Sequence, residues 1–351
     1  MADTMVAVET VPPPARGSDP REPIAVDAAL LLLGLAVFVV ACYSWLGVGG
    51  GLRVALIVLS LALVFAAGWR LLRHRWEGQK LALWLSLGWL GLVGGAAVFA
   101  DVLPIGEARN PSKTLADPIL VRPDLLSSHP LGTDRAALDM LGGVVYGARV
   151  SLVVGFGAVA LGLVIGVPIG IAAGYFRRKF ETATDFVTNV MLAFPPIILL
   201  LAMVSIVSPS MFNVAIALGV LMIPIYVRIA KLNTLTYAER EFVRAAEVIG
   251  ASRRRILAHE IFPCVVLPVG AYAVVVLAGA IVAEASLSYL GLSIQRPEPT
   301  WGNMIAAGQD SFRDNPHLVF VPGTVLVATV LALNTLSNVL RRRTDTRETL
   351  R

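Results

Sequence analysis

The chain has 351 residues, of which 56% are hydrophobic and only 15% charged, with a mean hydropathy of +0.75. Soluble domains run near 45–50% apolar and about 25% charged, so large soluble folds, coiled coils, disordered chains and collagen-like repeats are excluded, and an integral membrane protein is expected. The formal net charge of +5, from 29 basic and 24 acidic residues, does not call for a nucleic-acid partner, because Lys and Arg collect in the loops on one side of a bilayer.

Residues 1–23, with a triple proline, acidic residues and little apolar material, read as a disordered cytoplasmic tail. They lack the basic start, short apolar stretch and cleavage site of a signal peptide. Eight apolar segments then follow that are long enough to cross roughly 30 Å of hydrocarbon as helices. They lie at 24–48, 52–72, 81–103, 149–176, 183–207, 213–232, 264–290 and 317–340. The expected fold is therefore an all-α membrane protein of about eight transmembrane helices. Gly155, Gly162, Gly166, Gly170 and Gly174 form a strip of small residues on one segment, a packing face for a neighbouring helix. Cys42 and Cys264 are far apart and offer neither a disulfide framework nor metal-ligand spacing.

With a cytoplasmic N-terminus and eight crossings, most of the 29 basic residues fall on the inside, including Arg177 to Lys179, Arg253 to Arg255 and Arg341 to Arg343. The positive-inside rule selects this orientation, with both termini cytoplasmic. Residues 104–148 are then external and end in an apolar stretch, Ala136 to Val145. Residues 233–263 form a cytoplasmic loop far longer than most connections, which points to a dedicated role.

Within that loop Phe242, Ala245, Ala246 and Ile249 recur with the spacing of one helical face, while Glu241, Arg244 and Glu247 occupy the other. Gly250 follows as a left-handed helix stop, and Ser252 suits the N-cap of a second short helix that Pro263 interrupts. Such a helix either lies in the lipid interface or inserts its apolar face into a groove on a soluble partner. Ala245 and Ala246 offer little area to lipid and permit close protein approach, which favours the partner.

Arg244-Ala-Ala, Gly250 and Pro263, in the text EFVRAAEVIGASRRRILAHEIFP, resemble the EAA loop of ABC importer permeases, and specifically the C-type permease of the dipeptide/oligopeptide/nickel family. HPLGTD (129–134) with YGARVSL (146–152), GYF (174–176) with LAFPPIILL (192–200), and EASLSYLGL (284–292) with PEPTWGNMI (297–305) are similar to the same family in the same order. The resemblance covers about 129–340. The chain departs from it at Arg244, where the motif has glutamate, at Glu260 and Phe262, at Ala137 to Asp139, and at Asn189, where an aspartate is usual.

The resemblance implies a six-helix permease core in spans three to eight, made of a first core helix and external loop (79–128) and the main core (129–340), followed by a cytoplasmic tail (341–351). The two-helix segment 24–78 is additional to that core and expected to be peripheral. It further implies a translocation path for di- and oligopeptides, with nickel chelates or other small peptide-like solutes as the alternative. The implied partners are a second homologous permease in a heterodimer, two cytoplasmic ATP-binding subunits and an external or periplasmic substrate-binding protein, all at a bacterial cytoplasmic (inner) membrane. The coupling residues would be Glu241, Phe242, Arg244, Ala245, Ala246, Ile249, Gly250, Ser252, Arg255 and Pro263. Glu284, Ser288, Tyr289, Phe194 and Pro195 are candidates for the path or gate, and His129, Asp134 and Trp301 for contact with the binding protein.

The chain has no G-x-x-x-x-G-K-[ST] segment and not one Gly-Lys pair, so ATP and Mg would be handled by the partner subunits and this chain would carry no cofactor and no catalytic site. His74, His129, His259 and His317 are scattered through loops, and no metal site is expected. The readings from other classes are an ion-coupled secondary transporter acting alone and a membrane scaffold or intramembrane enzyme. The first would need paired acids inside the membrane, and only Glu284 falls clearly within a span.

Overall fold

The computed structural model describes residues 78–103, 105–124, 127–206 and 210–349. The tail 1–23 and the spans expected at 24–48 and 52–72 lie outside them. The described residues are mostly helical, with irregular segments, such as those described within 99–139, between helices and one isolated bridge, between Thr133 and Asp139. In chain order the helices are α1 (Gly78–Val98), α2 (Met140–Phe176), α3 (Arg178–Ala193), α4 (Pro196–Ile206), α5 (Met211–Ala238), α6 (Glu241–Val248), α7 (Arg253–Tyr289), α8 (Trp301–Gly308) and α9 (His317–Thr349).

Five of them, α1, α2, α5, α7 and α9, are long and apolar enough to cross a membrane. The span expected at 183–207 is a broken one, because α3 and α4 meet at 87°. The cause is local. Pro195 pushes Phe194 out of helical geometry (φ −79°, ψ 133°), and Pro196 then opens α4, a position where its missing N–H costs nothing. The span expected to begin at 149 begins at Met140, so most of the stretch Ala136 to Val145 belongs to α2 rather than to an external loop. Asp139 starts the helix by accepting the Gly142 N–H at 2.7 Å.

The centre of the bundle is the pair α2 and α5, which run side by side along the glycine strip. A Cβ on Gly162 would sit 2.8 Å from the Tyr226 ring, and one on Gly166 2.8 Å from the Ile223 carbonyl oxygen. At Gly170 and Gly174 it would meet Val227 and Ala230, then Thr234 and Lys231. Only glycine permits this approach, and in a membrane the resulting dispersion contacts are what hold two helices together. Gly155 faces α7 instead, against Leu277 and Ile281.

Helix α7 packs on α2, α5, α8 and α9. Its Val265, Val269, Leu277 and Ile281 join Val159, Val167 and Ile171 of α2 and Tyr226 of α5 in the main core. Pro263 does not interrupt this helix, contrary to the sequence expectation. A proline ring clashes with the carbonyl four residues back, and the helix widens into a π turn over Ile256–Ile261 just before it. There the Phe262 N–H reaches the Leu257 carbonyl, five residues back, and the chain runs on unbroken.

Candidate functional site

The long loop expected at 233–263 is built on α6. Val243 is its one fully buried residue and joins the main core together with Ile256 and Ile261 of α7, while Ala246 packs against the same cluster. The outward face carries Phe242, Ala245, Val248 and Ile249, with Val248 88% and Ile249 86% exposed. The expected apolar face is therefore split. Phe242, Ala245 and Ile249 point to solvent as expected, but Ala246 turns inward, and Val243, which the helical spacing passes over, is the anchor. The angular separation of these positions is under half a turn, so only the packed neighbour decides which edge is buried.

Gly250 takes φ +85° and closes α6 with a paired cap, its own N–H donating to Glu247 O and that of Ala251 to Ala246 O. Ser252 then caps α7, accepting from the Arg255 N–H. Glu241, Arg244, Ser252 and Arg255 are exposed around the apolar patch. Two polar contacts hold the loop to the end of α2. Arg177 donates to Glu239 at 2.7 Å and holds that carboxyl below its usual range, and the Tyr175 hydroxyl donates to Glu247 at 3.2 Å.

Among the path candidates, Glu284 is fully buried between α7 and α2. Its two carboxylate oxygens accept from the Ser151 hydroxyl at 2.7 Å and the Ser288 hydroxyl at 2.6 Å. Tyr289 is exposed, with its hydroxyl donating to Gln309 at 2.9 Å. Phe194 and Pro195 form the exposed corner between α3 and α4, far from Glu284 in the chain and on other helices.

At the opposite end of the bundle, two of the three contact candidates, Asp134 and Trp301, are buried and His129 is half-buried. Trp301 is 0% exposed, packed beside Gly147, and its indole N–H donates to Val144 O at 3.1 Å. Asp134 is buried, accepting from the Ala136 and Leu138 N–H groups and from Arg296 at 2.7 Å. His129 is largely covered and donates to Asp139 at 3.0 Å, behind the N-cap of α2. These groups hold the external cap together. Burial turns Asp134 and Trp301 inward, and a sequence offers no sign that a polar loop folds onto itself.

Residues 166–349 match the family described as the binding-protein-dependent transport system inner membrane component. A dipeptide transport system permease protein DppC of Alkalihalophilus pseudofirmus is 35% identical over 251 residues, 71% of this chain and 80% of the relative. A di/tripeptide permease DppC of Pseudomonas aeruginosa is 31% identical over 67% of this chain and 79% of its own length. A glutathione permease GsiD of Pectobacterium atrosepticum is 33% identical over 62% and 73%. Among solved structures, a chain of the MetNI methionine ABC transporter in inward-facing conformations aligns at a TM-score of 0.49 and 19% identity, covering 58% of this chain and 97% of that one.

Proposed function

From the premise that the chain belongs to the family of binding-protein-dependent transport system inner membrane components, as a permease subunit of an ABC importer of the dipeptide/oligopeptide group, we propose that it forms half of a translocation path for di- and oligopeptides. Peptide permeases at 31–35% identity support that substrate class, and the glutathione permease among the relatives supports other small peptide-like solutes beside it. The second half of the path comes from a related permease. Two ATP-binding subunits dock from the cytoplasm, and MgATP is hydrolysed in them. An external binding protein delivers the substrate. The basic residues grouped around α6 and the end of α2, Arg177, Arg178, Lys179, Arg240, Arg244 and Arg253 to Arg255, support a cytoplasmic position for this end of the molecule.

The observation that carries the coupling role is the division of α6 into two faces. Phe242, Val248 and Ile249 are exposed apolar side chains on this helix, the kind of surface a groove on a soluble partner would cover. On the other side Val243, Ile256 and Ile261 sit in the same core as α2, α5 and α7. Displacement of α6 by a closing ATPase pair therefore reaches the transmembrane helices through packed side chains. The Gly250 cap and the Arg177–Glu239 contact keep the patch in a fixed orientation relative to α2.

The test is affinity purification of the complex from native membranes in mild detergent, with the co-eluting chains identified and quantified. Wild-type protein should bring a second permease and ATP-binding subunits in fixed ratio. The double variant Phe242→Asp, Ile249→Asp should keep the permease partner and lose the ATP-binding subunits at least tenfold. Retention of those subunits by the variant would refute the docking role of α6.

A further inference from the structure

Helix α3 is mounted on the bundle differently from its neighbours. Its two buried residues are threonines, Thr184 and Thr188, while its large apolar side chains Phe186, Val187 and Val190 are exposed. What seats it on α5 is polar. Lys231 of α5 is largely covered, with its Nζ 2.8 Å from both oxygens of Asp185 and 3.1 Å from Glu181, and Arg228 donates to Asn189 at 2.9 Å. Glu181 and Asp185 are partly exposed, and ion pairs of that kind contribute little and open readily. The seam between α2 and α5 is the opposite case, since close packing along the glycine strip does not part without losing all its contacts at once.

The joint that leads into α3 is strained. Arg177 (φ 51°, ψ −164°) and Arg178 (φ 51°) follow one another at positive φ, where a residue with a Cβ is disfavoured. Two such residues in succession persist only when their surroundings hold them there. Two holds are present. Before α6, Glu239 accepts from the Arg177 guanidinium at 2.7 Å, and beyond the joint Lys231 grips Glu181 and Asp185. Just ahead of the joint, the Tyr175 hydroxyl donates to Glu247 of α6 at 3.2 Å. One hold therefore leads to α6 and the other to α5.

We propose that Arg177 and Arg178 form a two-position hinge, that Lys231 is the latch of the position seen here, and that displacement of α6 releases α3 from α5 during transport. The inference rests on the importer reading above. Hinges are a few element-terminal residues that absorb a large change in φ and ψ, and this joint stands between the ends of two helices. Movement of α6 draws Glu239 away from Arg177. A joint that has lost one hold lowers its free energy by relaxing to negative φ, and the relaxation swings α3 off Lys231. Lys231 is thus a positioning residue, which acts on the path through α3 and not by touching substrate.

The experiment uses the complete transporter, with its ATP-binding and substrate-binding partners, in proteoliposomes. Asn189→Cys and Arg228→Cys are combined, with Cys42 and Cys264 replaced by serine, and the pair is bridged with a short bifunctional methanethiosulfonate. Cross-linking should be fast without nucleotide and at least fivefold slower with MgATP trapped by vanadate. Lys231→Met should slow it to a similar extent without nucleotide, and Lys231→Arg should restore it. Arg178→Gly relieves the strain at an exposed residue and should return fast cross-linking to Lys231→Met, a rescue that a merely structural contact would not give. Peptide uptake by the bridged complex should fall at least tenfold below that of the same complex carrying a monofunctional reagent of equal size, and recover on reduction. A pair that never cross-links, a rate that does not fall with nucleotide, or uptake that survives the bridge would overturn the hinge. A rate indifferent to Lys231→Met would overturn the latch. A chain that purifies without ATP-binding partners would instead sink the importer reading beneath it.

Discussion

The described bundle carries two eight-residue helices, α6 in the loop expected to be cytoplasmic and α8 in the one expected to be external, and they are built in opposite ways. In α8, Trp301, Gly302, Asn303, Met304 and Gly308 are all buried, Gly302 lies against the backbone of Ala285, and a reciprocal capping box joins Thr300 and Asn303. In α6 only Val243 is buried, and three large apolar side chains stand in water. Both helices are held by backbone caps, yet only α8 satisfies itself. A helix that spends its hydrophobic surface on its own fold is a structural strut, whereas one that withholds it is shaped for something that arrives later. The segment around α8 is thus closed on the bundle, and α6 is the one of the two that leaves apolar surface for the partner proposed above.

Substitutions should break this contrast unequally. The largest effect is expected at the outer end. Trp301→Ala removes a fully buried ring and the hydrogen bond to Val144, at a cost of about 3–5 kcal/mol, seen as a large fall in the thermal unfolding temperature of the purified protein in detergent. At the inner end, Gly250→Ala places a Cβ on a residue with φ +85° in otherwise open space, so only the backbone term is lost, about 1 kcal/mol. Its thermal shift should be correspondingly small, with a larger loss of ATP-binding subunits than of stability.

The smallest effect is electrostatic. The carboxyl of Glu239 is held below its usual range first by the hydrogen bond from Arg177, so the contact stabilises the loop above the ordinary carboxylate range and is lost as pH falls through the lowered value. Arg177→Gln should raise the Glu239 titration, followed by NMR, back toward the ordinary carboxylate range. A titration unchanged by that substitution would mean that the contact does not form.

Much of the inner end is legible in the chain text, because its signals are local. Gly250 as a helix stop and Ser252 as a cap depend only on backbone chemistry within a few residues, and both stand where their spacing puts them. The glycine strip likewise announces a close helix neighbour, although not that α5 takes four of its positions and α7 the fifth. Asp134, His129 and Trp301 could not be read in the same way. A polar or aromatic residue in an external loop looks alike whether it meets a partner or caps its own bundle, and the answer lies in residues 162 and 157 positions away, Arg296 for Asp134 and Val144 for Trp301.

By itself, then, the sequence determined what the bilayer and the peptide backbone dictate: an all-α membrane chain, the approximate positions of most apolar helices among the described residues, the caps at Gly250 and Ser252 and the motif that places it in its family. Hydrophobic length and local turn chemistry need no knowledge of distant residues. The tertiary structure alone decided the anchoring of α6 by Val243 and the burial of Asp134 and Trp301. Each of these depends on which segments touch, since burial and pairing are settled by contacts between segments far apart in the chain.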